Sequence, residues 1–169
     1  MPKWLSVYPF RFWLAVVLTG LVAGCGGIAM HELLELVEWL SYGKTGDDYL
    51  TLVESVTPMR RLLALVFMAI LVAITWFFLQ RKSSLVSVKL QSQSSRKEQV
   101  LPRFWQHVSH TFLQIAFVGA GGPVGKEGAP RELGALSAGR LSRLLGLRLR
   151  DRHLLIVCGA AAGLAAVYQ

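Results

Sequence analysis

Charge is missing from this chain where a water-soluble protein would need it. Phe12–Met30 and Leu62–Gln80 each run 19 residues without an Asp, Glu, Lys or Arg, and charged residues make up only 17% of the 169. A helix of that length rises about 28 Å, close to the thickness of a bilayer's hydrocarbon. With 53% hydrophobic residues gathered into such runs, the composition argues against a soluble globular domain and for a membrane protein. Acids are scarce as well, ten against eighteen bases, for a net charge of +8. The bases lie beside apolar runs rather than along one aromatic-studded face, which argues against nucleic acid as a partner. Cysteine is reduced to Cys25 and Cys158, far apart and both within apolar runs. They read as buried, inert thiols that say nothing about redox compartment. No nucleophile–base set is visible. His107 and His110 stand three apart but lack a third ligand, so paired or interfacial positions suit them better than a metal. No enzyme activity, metal or cofactor is expected.

What the chain does have is helical pattern. Spans are expected over about 12–40, 61–80, 104–118, 130–147 and 153–168, with a polar connector over 81–103. Val22-Ala23-Gly24-Cys25 after a basic start has the form of a lipoprotein cleavage box. Against processing there, His31–Leu40 continues a helix, with Glu32, Glu35 and Glu38 recurring every three residues. Gly20, Gly24, Gly26 and Gly27 then read as close helix–helix contacts. Residues 31–59 hold six acids against Lys44, whereas 81–103 holds six bases against Glu98. The bias of positive loops toward the cytoplasm places the N-terminus and 82–102 inside and 41–57 outside, a multi-pass arrangement in the cell membrane. Arg60 and Arg61 stand against it. Gln106, His107, His110 and Gln114 suit a helix that faces protein or water rather than lipid. Arg140, Arg143, Arg148 and Arg150 mark a cytoplasmic emergence. The chain stops at Gln169 without cap or turn, as an incomplete chain would.

Between two of these segments lies Gly119–Leu133, GAGGPVGKEGAPREL. Glycine lets backbone approach a ligand, and proline suits a first helical turn. A helix opening at Ala129 and Pro130 aims its unpaired N–H groups and the positive end of its dipole back toward Glu127, as an anion site requires. A phosphate-binding loop is one candidate, since four residues separate Ala120 from Gly125-Lys126. Glu127 stands where a Ser or Thr must hold magnesium, so the spacing is met and the chemistry is not.

The other candidate is ion permeation. Gly125-Lys126-Glu127-Gly128 resembles the Gly-Arg/Lys-Glu-Gly signature of the CLC chloride channel and transporter family, and His153–Val167 is similar to the helix that follows it. Leu133-Gly134 and Gly139-Arg140 match in kind, Phe12–Trp39 looks like the family's first long tilted helix, and Arg61–Arg81 like its second. The resemblance covers nearly the whole chain and about the N-terminal third of a family member. It implies an all-α membrane protein: a multi-span helical bundle with broken or re-entrant helices, the N-terminal part of an inverted-repeat fold that forms homodimers. It also implies transport of chloride or a similar small anion, by a channel or a proton-coupled antiporter. In that frame Glu127 is the gating glutamate, competing with the anion and swinging aside when protonated. The backbone amides of Lys126, Glu127 and Gly128 coordinate the anion. A carboxylate that merely caps the helix would use the same position. Three departures stand out: Ala129 intervenes before Pro130, Lys126 replaces the commoner arginine, and the Gly-Ser-Gly-Ile-Pro element has no counterpart in Ser83–Ser95. The later filter elements of the family would lie beyond Gln169. The alternatives are a non-conducting membrane remnant or assembly subunit and, third, a membrane-anchored enzyme.

Overall fold

The computed structural model describes residues 10–43, 49–81, 87–93 and 103–168. Lys44, Asp47 and Asp48 of the acidic loop lie outside them, as do Lys82, Arg96, Lys97 and Glu98 of the connector. The described residues form seven helices and no strand: α1 Phe10–Tyr42, α2 Tyr49–Glu54, α3 Pro58–Gln80, α4 Val88–Gln93, α5 Phe104–Gly119, α6 Gly128–Leu144 and α7 Leu149–Ala165. The fold is all-α.

α1, 33 residues, rises about 50 Å and is the spine against which α5, α6 and α7 stack. It runs unbroken through Cys25 and the acids behind it. α6 is its inner partner, buried at every position from Leu133 to Gly139. The α6–α7 pair is antiparallel and held by small residues. A Cβ on Gly134 would collide with the carbonyl oxygen of Gly159, and one on Gly163 with that of Pro130. Backbones this close gain dispersion contacts that need no bulky side chain. Near one end Phe12, Ala15, Ala138, Leu147 and Leu155 form a cluster; near the other Met30, Ile115, Ala129 and Leu133 form a second. α4 folds back from the connector, with Val88 against Ala135, Ile156 and Ala160.

Alternating helix directions sort the charges. The start of α1, the end of α3, the start of α5 and the α6–α7 turn converge on one end: Arg140 lies over the Phe104 ring at 4.9 Å, and Gln106 donates to the Leu79 carbonyl. That end carries Arg11, Arg81, Arg103, Arg140, Arg143, Arg148, Arg150 and Arg152. Every described acid except Asp151 sits toward the other end, with the glycine turn.

Several expectations need correction. Of the α1 glycines, Gly26 and Gly27 do meet neighbours, since an added Cβ would reach 2.6 Å from Leu133 Cδ2 and 2.7 Å from Ala166 Cβ. Gly20 and Gly24 face open space. Cys25 and Cys158 are exposed on outward faces rather than buried. The helix expected over 130–147 stops at Leu144. Gly146, at φ 64, lets the Leu147 and Gly146 amides turn back to the carbonyls of Ser142 and Arg143, and α7 starts afresh. Arg60 and Arg61, which stand against the expected topology, have backbone partners. Arg60 donates to the Ser41 carbonyl at 2.9 Å, and Arg61 to those of Glu54 (3.2 Å) and Val56 (2.9 Å), so they bind the carbonyl ends of α1 and α2.

Candidate functional site

The glycine turn begins where α5 is stopped. Gly121, at φ 100, allows the amides of Gly122 and Gly121 to bond the carbonyls of Phe117 and Val118, both at 2.9 Å. The end of α5 is pressed against α1: a Cβ on Gly119 would lie 3.1 Å from Val37 Cβ and 3.2 Å from the Leu34 carbonyl oxygen. Past this anchor, the Val124 amide bonds the Gly122 carbonyl at 2.8 Å and the chain reaches α6 at Gly128.

Glu127 is the residue before the helix, with φ −74 and ψ −21, and its side chain makes no capping hydrogen bond. The capping role is therefore not what the carboxylate does. It folds back over Gly125, where a Cβ would stand 2.5 Å from Oε2 and 2.6 Å from Cδ. Gly128 serves a second side chain in the same way, with Gln114 Nε2 2.7 Å from its missing Cβ. Two glycines thus leave room for a carboxylate and an amide at one helix start. Among the described residues, the amides of Lys126, Glu127 and Gly128 donate to no backbone carbonyl. Pro130 falls in the first turn, where no helical amide is needed.

Lys126 and Glu127 diverge. Both are exposed, but Lys126 also lines a cleft of about 350 Å³ bounded by Gly24, Gly27, His31, Leu34 and Ala166. Farther along α1, Glu38, only 8% exposed, has Glu35, Lys126 and His31 as its charged neighbours, and His31 pairs with Glu35 at 3.3 Å. The three positions singled out from sequence share one turn. Gln114 and Glu38 were missed as its neighbours. Gln114 was visible as a polar residue on an apolar helix, one turn after His110, but nothing in its spacing says it meets Gly128. The two histidines point apart, His107 Nδ1 to the Arg103 carbonyl at 3.3 Å and His110 Nε2 to Glu132 at 3.8 Å. His110 also stacks on Trp76 of α3, with centroids 5.3 Å apart.

Chemically, the turn offers helix-start amides at the positive end of a 17-residue dipole, a lysine beside them, and an exposed carboxylate that is itself an anion. A small anion and that carboxylate can use the same donors in turn. A family model described as voltage gated chloride channel matches residues 73–169, from the last two turns of α3 through the glycine turn to the end of the chain. No curated protein and no solved structure matches it.

Proposed function

This chain belongs to the voltage-gated chloride channel family, and from that premise we propose that it moves chloride or a similar small anion across a membrane with Glu127 as its gate. Family membership carries a membrane location and anion transport in general; its members are channels or transporters, not enzymes. The finer assignment rests on one observation. The Glu127 carboxylate lies free of any capping bond, at a helix start whose amides have no backbone acceptor. Anion and carboxylate then exclude one another by like-charge repulsion, and protonation of Glu127 favours anion entry. That exchange is what a CLC-type channel gates on and what an antiporter couples to protons. Lys126, held in the α1 cleft, raises the local potential for anions without blocking the turn.

The test is anion efflux from proteoliposomes across external pH, for wild type and Glu127→Gln side by side. Glutamine stands for the protonated side chain, so its profile should be flat and any proton coupling lost. Glu127→Asp keeps the charge with a shorter reach and should shift the profile without flattening it. Identical profiles for wild type and Glu127→Gln would defeat the gating role, and efflux no greater than from empty liposomes would leave the reading of a non-conducting subunit.

Orientation in the bilayer belongs to the same proposal. Eight arginines at one end of the bundle support a cytoplasmic N-terminus, with the glycine turn toward the outside. Cysteines placed at Ser41 and Ser92 should label from opposite faces with an impermeant reagent.

A further inference from the structure

We propose that the arginines gathered where α6 turns into α7 hold the phosphate of an anionic phospholipid headgroup. The Nε of Arg143 is shut off from solvent and has no hydrogen-bond partner among the described residues. Its charged neighbours are Arg152 and Arg140, both of its own sign. Asp151, the acid nearest in sequence, makes no ion pair there. Arg143 is half-buried, and a guanidinium drawn partly out of water among like charges is destabilising unless an anion completes it. The arginines are not occupied in closing α6, because backbone amides already take the carbonyls of Ser142 and Arg143. Arg148 precedes α7 without a side-chain cap, so the first-turn amides of α7 face the same place. His153, in the first helical stretch of α7, has a buried Nε2 with no hydrogen-bond partner among the described residues.

Free phosphate and a lipid headgroup share this chemistry, and the surroundings favour the lipid. Leu144 and Trp105 are each 77% exposed and Leu154 is exposed as well, close to the arginines in sequence or, through Arg140 and Phe104, in space. Acyl chains would cover these apolar faces, whereas a dissolved ion would leave them in water. The site lies at the opposite end of α6 from Glu127 and does not depend on the gating assignment.

Native mass spectrometry of the purified chain in neutral detergent tests this, with dioleoyl phosphatidylglycerol, dioleoyl phosphatidylcholine or inorganic phosphate added. Phosphatidylglycerol should bind roughly tenfold more tightly than phosphatidylcholine, as charge-assisted guanidinium–phosphate bonds warrant. Arg143→Gln and Arg140→Gln should each remove most of that preference, and Arg143→Lys should keep part of it, having charge but no planar fork. Arg131→Gln, the same charge change at the far end of α6, should leave it intact. Arg140 is exposed, so its variant decides the matter if Arg143→Gln fails to fold. Equal binding of the two lipids would overturn the proposal. So would an Arg131→Gln loss as large as that of Arg140→Gln, or inorganic phosphate bound as tightly as phosphatidylglycerol.

Discussion

α3 and α6 reverse the rule that apolar residues go inside. α3 is uncharged from Leu62 to Gln80 and has no buried residue, and Leu63, Phe67, Ile70, Ile74, Phe77 and Phe78 all face outward. α6 mixes arginines and serines with glycine and alanine and is the most enclosed helix, with Ser137 and Ser142 buried and bonded to the carbonyls of Leu133 and Gly139. In water this would be an inverted protein. In a bilayer lipid solvates α3 as well as any core could, so hydrophobicity gives no reason to bury it. What decides the interior is how closely backbones can approach, and small residues win that contest. α3 is attached by a few polar or aromatic links instead: Trp76 on His110, Gln106 to Leu79, and Arg60 to the end of α1.

The sharpest way to break the contrast is to give α6 a side chain where it has none. Gly134→Leu should cost about 3 kcal/mol or more and abolish folded protein, because its Cβ meets the Gly159 backbone rather than a yielding side chain. Gly24→Ala, which faces open space, should stay within about 0.5 kcal/mol. Denaturant titration in micelles reads both, and equal losses would dissolve the distinction. On α3 a charge replaces bulk as the probe. Ile70→Arg, near its middle and 56% exposed, should lower membrane insertion by about 3 kcal/mol if lipid surrounds it. Unchanged insertion would place α3 in water or against protein. Smaller again, Arg61→Gln should cost about 1 kcal/mol through the lost bonds to Glu54 and Val56. It should loosen the α2–α3 junction, read as faster amide exchange there, and leave α6 and α7 untouched.

The turn between α5 and α6 was legible in part. Gly125-Lys126-Glu127-Gly128 announces itself because glycines and a following proline are local instructions to the backbone, and the helix begins at Gly128, one residue before the expected Ala129. The direction of each side chain was not legible. Lys126 lines a cleft whose other walls come from α1 and the end of α7, far away in sequence, and nothing in the local residue order says that the Glu127 carboxylate lies over Gly125. The α1 glycines make the same point. Four small residues offered four possible contacts, and packing used two.

By itself the sequence determined the all-helical class, the two long uncharged helices, and the signature that ties the chain to its family. Each depends on residues within a turn or two of one another, where propensity, hydropathy and backbone sterics act. The tertiary structure alone decided that Gln114 meets Gly128, that Lys126 is a charged neighbour of Glu38, and that arginines from four separate parts of the chain converge on one end. Those are matters of which helix faces which. That is fixed by backbone approach between segments distant in sequence, and no local pattern encodes it.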